Sequence, residues 1–148
     1  RQRQMCIRDS LRTFFEEAAQ KTVSQLVENS VLKIDGAIGA SGATLALVDQ
    51  LEQAGPYGSG HSQPIFAVPA HRLRDVRIVG TSHIKITLEA LAGSRLDGIA
   101  FRAADAPLGQ MLMAARGRQI HVAGTLGAEH WQGQKRVQLR VLDAAFAP

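Results

Sequence analysis

Basic side chains recur along the last third of the sequence at a spacing that suits binding to a chain of phosphates. Arg136 and Arg140 lie four residues apart with Gln138 between them, so a β-strand would place all three on one face. Trp131 precedes them, and its indole could either stack on a base for about 1–3 kcal/mol or pack the turn. We therefore predict electrostatic capture of a polyanion. The predicted contact residues are Arg74, Lys85, Trp131, Lys135, Arg136 and Arg140.

The net charge of the 148-residue chain is +4, and the positive charge lies in its second part. Residues 1–71 contain 6 basic and 7 acidic side chains, a balance of −1, whereas residues 72–148 contain 11 and 6, a balance of +5. This asymmetry favours a polyanionic partner for the basic part, although a solvated basic surface without a ligand fits the same counts.

The sequence contains no motif for catalysis or metal binding. Its 5 histidines are scattered and form no HExxH motif, and no glycine precedes the Lys-Ser/Thr pair of a phosphate-binding loop. The single cysteine, Cys6, excludes an internal disulfide, which is compatible with the reducing cytoplasm, where we expect the protein. We therefore predict no catalytic residue, metal ligand or cofactor on this chain.

Apolar residues recur at helical spacing in the first part of the chain. Residues 11–28 are predicted to form one helix, and a second helix begins at Ser41 or Thr44. The glycine- and proline-rich run from Gly55 to Phe66 ends it. The predicted apolar face of the second helix consists of Leu45, Val48 and Leu51.

Two further features of the sequence concern its first ten residues and the possibility of a membrane-spanning segment. Residues 1–10 show no periodicity, and we expect them to be a non-native leader. No run of about eighteen apolar residues is present, so we expect no membrane partner.

The second part changes to the alternating pattern of β-strands. Five strands are predicted, at residues 72–79, 83–88, 96–102, 119–126 and 135–142, with a bulge at Asp75–Val76. A short helix capped by Asp105 lies between the third and fourth strands. The fold class is therefore mainly β with helices, a five-stranded OB-fold-like barrel preceded by two helices, and an open α+β sheet is the alternative. The predicted core residues are Ile84, Ile86, Leu88, Ile120, Val122, Val137, Leu139 and Val141, together with Phe66 and Phe101.

Four segments, taken in order, resemble the bacterial RecJ exonucleases. The run Gly55-Pro56-Tyr57-Gly58-Ser59-Gly60-His61-Ser62-Gln63-Pro64-Ile65-Phe66 resembles that family's Pro-Phe-Gly-x-Gly-Asn-x-Glu-Pro-x-Phe motif. Residues 83–88, 96–101 and 131–139 are similar to two barrel strands and to the hairpin before the last strand. Tyr57, His61, Gln63 and Gln132 depart from the family's residues. The changes at Tyr57 and Gln132 are mild, whereas the resemblance assigns no side-chain role to His61 and Gln63. The family loop motif comprises Gly55, Pro56, Tyr57, Gly58, Gly60, Pro64 and Phe66.

The resemblance implies the C-terminal part of a 5′-to-3′ exonuclease that acts on single-stranded DNA in repair and recombination. It implies Mg²⁺ or Mn²⁺ in an upstream DHH domain, so we expect this fragment alone to be inactive. The implied partners are single-stranded DNA and the upstream DHH and DHHA1 domains of the same polypeptide.

The resemblance also implies a domain organisation. Residues 11–33 would be the last helix of a DHHA1-like domain, residues 34–70 a helix with a connector, and residues 71–148 the DNA-binding OB domain. The alternative function is a structural or protein-interaction module without direct DNA contact.

Overall fold

The computed structural model describes residues 31–148 of the protein. Residues Ile34–Pro148 form one compact unit. The predicted leader at residues 1–10 and the predicted helix at residues 11–28 lie outside the described residues. Among the residues described, no helix is long and apolar enough to cross a membrane.

Five of the strands in the described part of the chain close into a barrel. The strands are β1 (Gly36–Ala37), β2 (Phe66–Val79), β3 (His83–Glu89), β4 (Arg95–Ala100), β5 (Gln119–Trp131) and β6 (Gln134–Phe146). They are linked in the order β1-β2-β3-β4-β6-β5, and β2 also pairs with β5, which closes the ring. β4 runs parallel to β6 and β1 parallel to β2, while the other pairs are antiparallel. The predicted OB-fold barrel is therefore confirmed, and the open-sheet alternative is wrong.

Strand β2 makes the closure possible because it pairs with two neighbours in turn. Its residues 66–72 pair with β5, and its residues 72–79 pair with β3. The register shifts between Leu73 and Asp75, next to the predicted bulge at Asp75–Val76. Such an irregularity bends a strand and increases its twist, so one long strand can serve both edges of a ring.

Alternating side chains of the strands fill the barrel interior. The predicted inward-facing residues that are buried are Ile84, Ile86, Leu88, Ile120, Val122, Leu139 and Val141. Val137 and Phe66 are half-buried and pack against this core. The prediction that Phe101 belongs to the core is wrong, because Leu96, Gly98 and Ala100 occupy the inward positions of β4. Strand alternation therefore carries Phe101 to the outside, where it is 48% exposed.

Two helices support the barrel. Helix α1 (Leu45–Ala54) begins at Thr44, whose hydroxyl accepts a hydrogen bond from the Leu47 N–H. Val48 is buried and Leu51 packs against the core, as predicted, whereas Leu45 is exposed and Leu47 packs against the core instead. Helix α2 (Pro107–Ala114) lies between β4 and β5, and its Leu112 is fully buried.

Several predicted boundaries differ from the structure: β4 ends at Ala100 instead of residue 102, and β5 and β6 extend to Trp131 and Phe146, beyond the predicted ends at residues 126 and 142. Asp105 does not cap α2, because the N-cap is Ala106 and makes no side-chain hydrogen bond; Pro107, which fixes φ in the first turn, starts the helix instead. The first barrel strand begins at Phe66 rather than Arg72, so residue 71 lies inside β2. Residues 66–71 do not alternate apolar and polar side chains and include Pro69, a residue that is rare inside strands, which explains the late predicted start.

The loop motif binds the end of α1. The Gly55 N–H donates to the Glu52 carbonyl at 3.2 Å, and the Tyr57 hydroxyl donates to the Leu51 carbonyl. The His61 ring stacks on Tyr57 with centroids 5.1 Å apart. The loop thus satisfies carbonyl groups that a helix end leaves unpaired.

The departures from the family motif at His61 and Gln63 also have structural contacts. His61 Nε2 lies 3.1 Å from the Ala54 carbonyl oxygen. Gln63 Nε2 donates to the Leu126 carbonyl at 2.8 Å, which ties the loop to β5. His61 therefore holds the loop against the end of α1, and Gln63 holds it against the barrel.

Candidate nucleic-acid interface

A groove of about 490 Å³ crosses the outer face of β3 and β4 and extends to the tip of the β5–β6 hairpin. In OB-folds, the second and third barrel strands and the loop between the last two strands contact oligonucleotides. Strands β3 and β4 and the β5–β6 hairpin occupy those positions here. The groove is lined by Arg77, Val79, Lys85, Thr87, Asp97, Ile99, Glu129, Trp131, Arg136 and Gln138.

Strand register determines which side chains meet in the groove. Ile99 of β4 lies opposite Lys85 of β3 and opposite Arg140 of β6. Residues opposite each other share a face, so these three form one row across the sheet. The next row on the same face consists of Thr87, Asp97 and Gln138.

Positive charge exceeds negative charge in the groove. Lys85 Nζ lies 3.5 Å from Glu129 Oε2, and Asp97 accepts a hydrogen bond from the Thr87 hydroxyl at 2.8 Å. The cationic side chains in or beside the groove are Arg77, Lys85, Arg136 and Arg140. Asp97 and Glu129 line the groove and Asp75 lies 3.6 Å from Arg77, so four cations face three carboxylates, a surplus of one positive charge (4 − 3). A concave surface with this surplus attracts an anionic chain.

Arg136 and Arg140 have the most freedom to bind a ligand. Within residues 31–148, no carboxylate lies within 4.0 Å of either guanidinium group. Arg136 Nη2 donates to Gln134 Oε1 at 3.2 Å, which orients the guanidinium without neutralising it. Both groups can therefore form charge-assisted hydrogen bonds with phosphate.

Aromatic rings are exposed along the same face. Trp131 lies at the end of β5 and is 56% exposed, so its indole is accessible for stacking. The Arg140 Cζ atom lies 5.2 Å from the centroid of the Phe101 ring. His83 meets the same ring edge-on, with centroids 5.2 Å apart. Cationic groups next to exposed rings are the combination with which proteins bind unpaired nucleotides.

Lys135 points away from the groove, although it is the sequence neighbour of Arg136. Its Nζ donates to Asp49 Oδ1 at 2.7 Å and lies 3.8 Å from Glu52 Oε2, both on α1. The hydrogen bond to Asp49 raises the pKa of Lys135. Strand alternation explains this outcome, because consecutive residues of β6 face opposite sides.

Arg74 is also separate from the groove. It binds Glu89 at 2.7 Å, and Arg95 lies 3.4 Å from the same carboxylate. Burial pushes the pKa of Glu89 upwards, but the attraction of Arg74 and the hydrogen bonds from Arg95 and Arg74 outweigh it, so the pKa is lowered. Of the six predicted contact residues, the structure brings together Lys85, Trp131, Arg136 and Arg140.

The predicted contact set lacks one cation of the groove, Arg77, and one exposed ring on the same face, Phe101. Arg77 of β2 lies directly opposite Lys85 of β3. The alternation of side chains along β2 places Arg77 on the outer face of the barrel and could have indicated that it shares this face with Lys85. The sequence predicts Phe101 in the core because this residue type is usually buried, and only the exact end of β4 reveals its exposure.

In the described part of the chain, no group of three or more His, Cys, Asp or Glu side chains could hold a metal ion.

Comparison with known proteins gives consistent matches. The profile described as the RecJ OB domain matches residues 34–143. The single-stranded-DNA-specific exonuclease RecJ of Dickeya dadantii is 29% identical over 135 residues, covering 90% of this chain and 22% of that protein. The enzyme of the same name from Bacillus subtilis is 26% identical over 139 residues, covering 93% and 17%.

A solved structure of RecJ in complex with Mn²⁺ from Thermus thermophilus aligns with 70% of this chain and 14% of that chain, at 20% identity and a TM-score of 0.47. The chain spans about a fifth of the length of the curated relatives that it matches. Because the profile covers residues 34–143, and thus most of the chain, the protein belongs to the RecJ OB domain family.

Proposed function

We propose that the groove binds single-stranded DNA and that the chain is the strand-gripping module of a RecJ-type 5′-to-3′ exonuclease. The observation that carries this proposal is the joint presence of four cationic side chains and the exposed Trp131 on the ligand-binding face of an OB-fold.

The geometry suits an unpaired strand. Arg77, Lys85, Arg136 and Arg140 supply charges for phosphates, and the exposed rings supply flat surfaces for bases. A base that is paired within a duplex has no free face for stacking, whereas an unpaired base does. Both contacts are independent of sequence, because every nucleotide has a phosphate and every base has a π-face.

The activity of the whole enzyme is part of the same proposal. The groove would hold a strand while upstream domains with Mg²⁺ or Mn²⁺ hydrolyse its phosphodiester bonds, in DNA repair and recombination. The support for this step is membership in the RecJ OB domain family.

Two neighbouring residues provide a matched test. Arg136→Gln and Lys135→Gln each remove one positive charge, but only Arg136 faces the groove. We expect Arg136→Gln to make the salt dependence of oligonucleotide binding shallower by about 0.7 in log K against log salt, the value of one phosphate contact. Lys135→Gln should leave that slope unchanged.

The outcomes separate the groove from net charge alone. Equal effects of the two substitutions would show that binding follows net charge and would overturn the proposed site. Absence of binding at low salt would instead favour a structural or protein-interaction module. Melting curves of both variants serve as folding controls.

A further inference from the structure

A second set of arginines lies on β2 and on the segment after α2. The Leu73 N–H donates to the Arg118 carbonyl at 2.8 Å, and the Gly117 N–H donates to the Leu73 carbonyl at 2.7 Å. These hydrogen bonds hold the segment alongside the bulge of β2. The arginines brought together in this way, here called the arginine ridge, are Arg72, Arg74, Arg116 and Arg118.

Two members of the arginine ridge have no acidic partner within the described residues. Arg72 and Arg118 are exposed, and no carboxylate in residues 31–148 lies within 4.0 Å of either side chain. The Arg118 Cζ lies 4.2 Å from the centroid of the Phe146 ring, which is itself 41% exposed. A guanidinium that rests on an aromatic face keeps its edge N–H groups available for a phosphate.

The other two members share their carboxylates with further arginines. Arg74 binds Glu89 at 2.7 Å, and Arg116 lies 3.5 Å from Asp75. Glu89 also contacts Arg95, at 3.4 Å. Each carboxylate therefore faces two guanidinium groups and neutralises only one of them, so the surface stays positive.

Asp75 connects the arginine ridge with the groove. Its Oδ1 lies 3.5 Å from Arg116 of the ridge, and its Oδ2 lies 3.6 Å from Arg77, which lines the groove. Positive side chains thus continue from the groove along β2. Arg77 and Arg95 share these carboxylates with the arginine ridge. When they are included, six arginines face the two carboxylates of this surface, a balance of +4 (6 − 2).

We propose that a single strand longer than the groove leaves it past Arg77 and follows the arginine ridge, which binds its phosphates. The inference rests on the proposed function and extends the binding site of that same ligand. Phosphates lie at regular spacing along an unpaired strand, so a continuous line of arginines matches the ligand without base recognition.

The test compares two oligonucleotide lengths on the full chain. Lengths of about 8 and about 24 nucleotides are suitable, because one OB-fold covers roughly 4–16 nucleotides. The double variant Arg72→Gln/Arg118→Gln removes the two ridge arginines that lack acidic partners. We expect the salt slope to become shallower by about 1.4 for the longer strand, the value of two contacts, and to stay the same for the shorter strand.

Each outcome has a definite meaning. An unchanged slope for the longer strand overturns the inference. The same result is expected if the arginine ridge binds an acidic protein instead of the strand. The variant Arg72→Lys/Arg118→Lys should retain the wild-type slope, since it keeps both charges. Arg136→Gln, which lies in the groove, should reduce the slope for both lengths. If Arg136→Gln changes the salt slope for neither length, the proposed function fails. The double variant of the arginine ridge then still shows whether the ridge binds the longer strand.

Discussion

Salt dependence of binding follows directly from the number of cations in the groove. Four side chains, Arg77, Lys85, Arg136 and Arg140, lie in or beside it. At about 0.7 per phosphate contact on a single strand, four contacts predict a slope of about −2.8 in log K against log salt. Raising the salt concentration from about 50 to about 200 mM should then weaken binding roughly 50-fold.

The double variant Arg136→Gln/Arg140→Gln tests this count. It should halve the slope to about −1.4, so that the same change in salt weakens binding only about 7-fold. Fluorescence anisotropy with a labelled oligonucleotide of about 8 nucleotides measures both slopes and keeps the ligand within the groove. Arg136 and Arg140 are exposed, so we expect the melting temperature of the variant to change little.

The reasoning would be refuted by a slope that the double variant does not alter. It would also be refuted by a wild-type slope near zero, which would mean that the ligand makes no phosphate contacts. A slope steeper than about −2.8 with the short oligonucleotide would show that cations outside the groove take part.

Three further predictions concern stacking, packing and pH. Trp131→Ala should weaken oligonucleotide binding about 5- to 150-fold, equivalent to the 1–3 kcal/mol of one stacked base, whereas Trp131→Phe should retain most of it. Gly124→Ala should cost roughly 3 kcal/mol in denaturant unfolding because its Cβ would lie 2.1 Å from the Arg140 carbonyl oxygen, while Gly127→Ala, with open space, should be nearly neutral. Glu89 has a lowered pKa, so its contribution to stability is present above its usual value of 4.5 and is lost as the pH falls through the folded-state pKa. The stability difference between the wild type and Glu89→Gln should therefore shrink in acid, and a constant difference would contradict this.

The barrel could be predicted from the sequence because strand alternation is a local property. Ile84, Ile86 and Leu88 are read as one face from spacing alone, and the structure buries all three. The position of α2 between the third and fourth barrel strands completed the OB-fold pattern. The first feature is visible within a short segment, and the second depends only on the order of such segments along the chain.

Long-range pairing limited the prediction of the site. Strand alternation places Lys135 and Arg136 on opposite faces of β6, but only the contact of Lys135 with Asp49 on α1 shows that its charge already has a partner. The sequence predicts Arg74 as a contact residue, but the bulge of β2 places it with Glu89. Such contacts join residues far apart in the chain, and composition and periodicity do not encode them.

The fluorescence of Trp131 tests the central claim most directly, since it is the single tryptophan of the chain and lines the groove. Titration of the full chain with an unlabelled single-stranded oligonucleotide at low salt should quench its emission to saturation, and added salt should restore it. Binding that leaves the emission unchanged, or quenching that salt does not reverse, would contradict a cationic groove that holds an unpaired strand.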